Sequence, residues 1–166
     1  MTTLIAIIGI GIFCLLAEIM NLKKIIIPVS IVSLMALFGL NITGQLPEIT
    51  GYESMIEVNK FSVAFSSLFI LLTALLILMS APSYAKSSKL SDFISIKVFM
   101  LSGAVAMVSF SNMAMFFLGI EVLSIGLYVL AGSDRLNIKS NEAGMKYFLM
   151  GSFASGILLF GITMLY

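Results

Sequence analysis

The sequence predicts an all-α fold: a polytopic membrane helix bundle of six transmembrane helices with the amino terminus outside. Three observations carry this. Hydrophobic residues make up 60% of the chain and charged residues 10%, where a soluble domain carries about 25% charged. The apolar residues fall into six runs of the length a helix needs to cross roughly 30 Å of hydrocarbon. The basic residues between those runs are distributed unevenly. Assigning alternate loops to alternate sides puts Lys23, Lys24, Lys86, Lys89, Arg135 and Lys139 on one face and only Lys60 on the other. Under the positive-inside rule, the amino terminus and the 41–60 loop then lie outside.

The same composition excludes several classes. A net charge of +1 without a basic tract argues against nucleic acid as a partner, and leaves the lipid bilayer as the first one. There is no histidine and one cysteine, Cys14, inside an apolar run. That rules out a disulfide within the chain, a Cys/His zinc site and a haem held by histidine, and Cys14 reads as a small packing residue. No extramembrane segment is long enough to form a domain, so residues 1–166 read as a single membrane unit.

The elements follow in order. The first span, residues 2–22, has no basic residue before it and no small-x-small cleavage site, so it reads as a membrane helix and not a removed signal. Glu18 near its end reads as an interfacial carboxylate beside Lys23 and Lys24. The second span, 25–42, has Pro28 in its first turn, where a proline costs little, and the short connection predicts an antiparallel hairpin with the first. Residues 41–60, with Gly44, Pro47, Gly51 and the acids Glu48, Glu53 and Glu57, read as a surface loop with one short extended or helical piece. The third span, 61–80, ends before Pro82. The fourth, 93–110, carries Lys97 about one turn inside, where its long stem lets the ammonium snorkel to the interface. Only Ser111 and Asn112 link it to the fifth, which is read as 112–131 with Asn112 as its first residue, and this makes the two close neighbours. The sixth, 142–166, is rich in small residues. Its pairs Gly151/Ser155 and Ser152/Gly156 predict the tightest packing in the bundle, with the fifth helix and its Gly119 and Gly126 as partner. No internal repeat is present.

The fifth span holds the candidate site. NMAMFFLGIEVLSIGLYVLA carries one formal charge, Glu121, near its middle, where a carboxylate costs at least ~2.5 kcal/mol on insertion scales. Ser124 and Tyr128, three and seven residues on, share its helical face. Two readings stand: a carboxyl that glues helices by hydrogen bonding, and a proton- or ion-handling group, which the position favours. Desolvation raises a buried carboxyl's pKa, while a nearby lysine lowers it. Lys146, and with it Lys97, could therefore form a relay with Glu121. Lys146 starts near the end of its span, roughly 8–10 Å away in depth, a gap that long side chains and a water could bridge. Glu142, four residues before Lys146, is placed for an ion pair with it.

These residues carry a resemblance. FLGIEVLSIGLYVLAGS (117–133) followed by SNEAGMKYFLMGSFASGILLFGITMLY (140–166) closely resembles the subunit N type of antiporter-like subunit of the proton-translocating NADH–quinone oxidoreductases, respiratory complex I. The likeness is close over about a third of the chain, supportive over SDFISIKVFMLSGAVAMVSFSN and weak before it. It implies that Glu121 is the glutamate of the family's GLELLS-like motif, a central proton-path residue. It implies too that Lys146 is the lysine of the EAxxKYFLLG-like motif. Sister subunits L and M resemble one another in a tryptophan before that glutamate. Ile120 stands there in this chain, which favours the N type. Many relatives have proline where Gly126 stands. Family members run to about fourteen helices, so the chain is expected to be the amino-terminal part of a larger subunit.

The function implied is that of a membrane-arm subunit contributing a proton-translocation path coupled to electron transfer from NADH to quinone. The setting implied is a bacterial inner membrane, with other membrane-arm subunits as partners. No cofactor or metal is expected on this chain. NAD, FMN, iron–sulfur clusters and quinone are expected elsewhere in the complex. The alternatives are a subunit of a stand-alone cation/proton antiporter and a non-catalytic membrane assembly scaffold.

Overall fold

The computed structural model describes residues 2–19, 23–45, 54–84 and 90–165. The side chains of Glu18, Lys23 and Lys24, and residues Glu48, Glu53, Lys86 and Lys89, lie outside the described set. Among the described residues the chain forms α1 (Thr2–Ile19), α2 (Lys23–Thr43), α3 (Lys60–Tyr84), α4 (Leu90–Val108), α5 (Met113–Ala131) and α6 (Ile138–Leu165). The helices α2 to α6 are each long and apolar enough to cross a membrane, and Thr2–Ala17 is a shorter apolar helix. The fold is an all-helical membrane bundle.

α4 is its centre. It packs on α1, α3 and α5 and touches α2, and it buries Ser91, Ile94, Ser95, Val98, Leu101, Ser102, Gly103 and Val105 among others. Ile7 and Cys14 from α1, Leu34 from α2, and Ile70 and Ile77 from α3 complete the core. Cys14 is a buried packing residue at 1% exposure. With lipid outside, apolar burial alone does not select partners, so small and hydrogen-bonding groups do much of the work between helices. Ser91 Oγ donates to the Cys14 carbonyl at 2.8 Å, joining α4 to α1. Asn41 Nδ2 donates to Ser66 Oγ at 2.9 Å, joining α2 to α3. Accordingly α1 packs more extensively on α4, and α2 on α3, than the two pack on each other.

Two sequence expectations are corrected. α2 begins at Lys23, so Pro28 is its sixth residue and lies inside the helix, where it removes the bond to the Lys24 carbonyl and is not a free first-turn proline. α6 is not the tightest-packed helix: among the described residues it has no buried member and packs on α5 alone. The closest helix contact is α4 with α5. A Cβ added to Gly103 would stand 2.8 Å from the Gly119 carbonyl oxygen, and one on Gly119 would stand 2.9 Å from the Gly103 carbonyl oxygen. A Cβ on Gly126 would meet Met100 of α4 at 2.2 Å. The glycines expected to receive α6 therefore receive α4. A small-x-x-x-small pair permits close approach, but which helix arrives depends on the rest of the bundle.

The 41–60 segment has its short extended piece. Ile56 forms an antiparallel bridge with Phe110. Glu57 N–H donates to the Ser109 carbonyl and Ser111 N–H to the Met55 carbonyl, both at 2.9 Å. The segment entering α3 is thus clasped to the α4–α5 turn.

Candidate functional site

α5 positions Glu121. The helix starts at Asn112, whose extended backbone (φ −132°, ψ 158°) lets Oδ1 accept from Met115 N–H at 2.8 Å, as an N-cap does. Asn112 Nδ2 also donates to the Ser54 carbonyl at 3.0 Å. At the other end Gly132 N–H donates to the Tyr128 carbonyl at 3.1 Å. Glu121 lies eight residues from the first residue of α5 and ten from the last, near mid-span. Gly119, two residues earlier, presses against α4, and no side chain separates the two backbones at that level.

Glu121 is half-buried. Its Oε1 is shielded from solvent and has no hydrogen-bond partner among the described residues. Ser124 and Tyr128 lie on the same face, and at Tyr128 that face meets α6. The Tyr128 ring stands edge-on to Tyr147 (centroids 4.9 Å, 86°) and to Phe148 (5.8 Å, 83°). Its hydroxyl rests over Gly151, where an added Cβ would be 1.9 Å away. Closer to the 133–137 turn, a Cβ on Gly144 would meet Gly132 Cα at 2.8 Å. Among the small residues of α6, Gly144 and Gly151 serve the contact with α5, whereas Gly156 and Gly161 have nothing within 4 Å of an added Cβ.

This register fixes the lysines. Lys146 is 70% exposed and its Nζ pairs with Glu142 Oε1, the i, i+4 ion pair that the spacing allowed. With Gly144 level with Gly132, Lys146 and Glu121 are separated along the bundle by roughly 13–15 Å, more than the 8–10 Å expected. The structure does not bring them together, and Tyr128 lies between their levels. Lys97 also faces elsewhere: Nζ donates to Ser80 Oγ on α3 at 2.7 Å, and it lines a cavity between α3, α4 and α5.

Sequence reasoning missed Asp92. It lies in the first turn of α4 and lines, with Tyr128, Arg135, Asn141 and Phe148, a cleft of about 740 Å³ at the Arg135 end of α4, α5 and α6. An acid just ahead of an apolar run was the available signal. The cleft brings water-accessible polar groups up to Tyr128, the outer member of the Glu121 stripe.

The comparisons with known proteins follow from these helices. The family described as "NADH:quinone oxidoreductase/Mrp antiporter, TM" matches residues 111–166, that is α5, α6 and the turn between them. Over its whole length the chain is 64% identical to NADH-quinone oxidoreductase subunit N of Flavobacterium johnsoniae, covering 36% of that protein. It is 61% identical to subunit N of Flavobacterium psychrophilum, covering 37%, and 39% identical to subunit N of Cytophaga hutchinsonii, covering 36%. The chain spans about a third of the length of the curated relatives it matches. Glu121 and its stripe fall within the residues that the family model covers. The chain belongs to the subunit N family of bacterial NADH–quinone oxidoreductases.

Proposed function

We propose that this chain forms part of a proton path in the membrane arm of a proton-translocating NADH–quinone oxidoreductase, with Glu121 as the group that takes up and releases the proton. The observation that carries this is the Oε1 of Glu121 at mid-span, shielded from solvent and without a hydrogen-bond partner among the described residues. A carboxyl kept as glue would hold a hydrogen bond across a helix interface, because leaving a buried polar atom unpaired costs about 1–3 kcal/mol. A carboxyl that must change protonation state is better served by partners it can gain and lose. Ser124 and Tyr128 continue its stripe toward the Asp92–Arg135 cleft, which supports access from that side. The similarity to NADH-quinone oxidoreductase subunits N supports the oxidoreductase over a stand-alone antiporter.

In this reading the chain binds no cofactor. NAD, FMN, iron–sulfur clusters and quinone belong to other subunits of the complex, and their electron transfer drives charge movement here. Lys146, held by Glu142, supplies a positive charge at the basic end, and its approach to or retreat from the stripe alters the proton affinity of Glu121.

The test is substitution in the complete complex. Glu121→Gln keeps shape and hydrogen-bonding capacity but cannot ionise. It is expected to assemble normally and lose most pumping and coupled quinone reductase activity, while Glu121→Asp keeps part of both. A Gln variant that pumps at the wild-type rate overturns the assignment. Lys146→Ala is expected to reduce pumping more than assembly. Unchanged pumping in a normally assembled complex would make Lys146 an interfacial anchor only.

A further inference from the structure

The register of α6 on α5 gives the Tyr128 hydroxyl a depth. Gly132 and Gly144 lie opposite one another, and the contacts of Tyr128 with Tyr147, Phe148 and Gly151 show the two helices running antiparallel. Gly151, seven residues beyond Gly144, is therefore level with Ile125, seven residues before Gly132. The Tyr128 hydroxyl rests against Gly151. It thus sits deeper in the span than its own Cα, because a helical side chain leans toward the helix N-terminus. From that level to the backbone of Glu121 is four residues, roughly 6 Å along the axis. One or two waters bridge such a gap at ~2.8 Å per hydrogen bond.

Hydroxyls elsewhere in the bundle are committed. Every serine and threonine side chain described in α2, α3, α4 and α6 donates a hydrogen bond to a backbone carbonyl. Ser124 Oγ and the Tyr128 hydroxyl make no hydrogen bond among the described residues. Both stay open to water, whereas Glu121 Oε1 is shielded. Three successive polar groups of one stripe thus keep their hydrogen-bonding capacity free, and the innermost of them is the carboxyl. At the outer end of the stripe, Tyr128 and Phe148 line the cleft that holds Asp92 and Arg135. The Tyr128 ring spans from this cleft, edge-on to Tyr147 and Phe148, and its hydroxyl stands on the Glu121 side of the aromatic contact.

We propose that Tyr128 is a proton-relaying residue whose hydroxyl passes protons between water in the Asp92–Arg135 cleft and the carboxyl of Glu121. The proposal rests on the reading of Glu121 as the group that takes up and releases the proton. To load Glu121, a cleft water gives a proton to the phenol oxygen while the phenol O–H passes its own proton inward, through water at Ser124, to the carboxylate. The phenol ends neutral, and rotation about its C–O bond resets it. Unloading runs through the same steps in reverse. Only O–H bonds are made and broken, and the net change is one proton moved. Ser124 Oγ, not tied to its own helix, offers the inner water both a donor and an acceptor.

The test compares Tyr128→Phe, Tyr147→Phe and Glu121→Gln in the complete complex, reconstituted in proteoliposomes. Phenylalanine at 128 keeps the ring and its contacts with Tyr147 and Phe148 and removes only the hydroxyl. It is expected to assemble like the wild type and to lower pumping and coupled quinone reductase activity about tenfold or more, as loss of a positioned proton-transfer group does. Tyr147→Phe, the same deletion on the adjoining ring, should leave both rates unchanged. Wild-type pumping by Tyr128→Phe beside an inactive Glu121→Gln overturns the relay and leaves the Glu121 assignment standing. A silent Glu121→Gln removes both. An equal loss in Tyr147→Phe, or a loss in Tyr128→Phe that only tracks the amount of assembled complex, assigns the effect to packing of α6 on α5 and also overturns the relay.

Discussion

Glu121 and Gly119 are two residues apart and solve different problems. Gly119 has no side chain, so its backbone can lie against that of Gly103, and this contact holds α5 at a fixed distance from α4 just where the carboxyl projects. Gly103→Ala is expected to force the two backbones apart, because the new methyl would meet the Gly119 carbonyl oxygen and the Leu123 nitrogen at 2.8 and 2.9 Å. Overpacking of this kind costs about 1–3 kcal/mol, read as a lower melting temperature of the purified subunit. Gly39→Ala in α2, where nothing lies within 4 Å of the new methyl, should be neutral or slightly stabilising, since alanine is the better helix former by up to about 1 kcal/mol. At this scale the placement of Glu121, Ser124 and Tyr128 on one helix face was legible, because helical spacing alone sets it. The sequence was silent about which way Lys97 and Lys146 point. Each depends on a residue distant in the chain or on helix register, Ser80 for the one and Gly132 opposite Gly144 for the other.

The helices themselves were legible, since apolar run length is set by bilayer thickness. So was the pairing of neighbours through short turns, α4 with α5 and α5 with α6. The pairings α1–α4 and α2–α3 were not, because Ser91 with the Cys14 carbonyl and Asn41 with Ser66 join residues far apart in sequence, and serines read alike on every helix. The packing of α6 was misread for the reason already given by Gly119 and Gly126. The clasp between 54–57 and 109–112 offers a test at this scale. Asn112 both caps α5 and holds the Ser54 carbonyl. Asn112→Ala should cost roughly 1 kcal/mol from the cap alone and loosen the clasp. Amide hydrogen exchange at Glu57 and Ser111 should then quicken, while exchange at the core positions Val98 and Leu101 stays slow. Unchanged exchange at Glu57 would assign the clasp to the Ile56–Phe110 bridge by itself.

For the whole molecule the distribution of lysine and arginine predicts the direction across the membrane. Cysteines at Glu57 and Lys139 are expected to react with an impermeant thiol reagent from opposite faces of a sealed vesicle, Lys139 from the cytoplasmic one. Reaction of both from one face would reject the alternating arrangement. The bundle is also uneven from side to side. α1 to α5 interlock around α4, whereas α6 lies against α5, with contacts that include Gly132 with Gly144 and Tyr128 over Gly151. Mechanically, that is a wall of interlocked helices with one further helix laid against its α5 side. The carboxyl of Glu121 belongs to the wall and the ion pair of Lys146 to the helix laid on it, with the Tyr128 ring between their levels. Any shift of α6 along α5 moves the Lys146 charge relative to the Glu121 carboxyl. The neighbourhood of the carboxyl can therefore be altered without disturbing the helices that hold it.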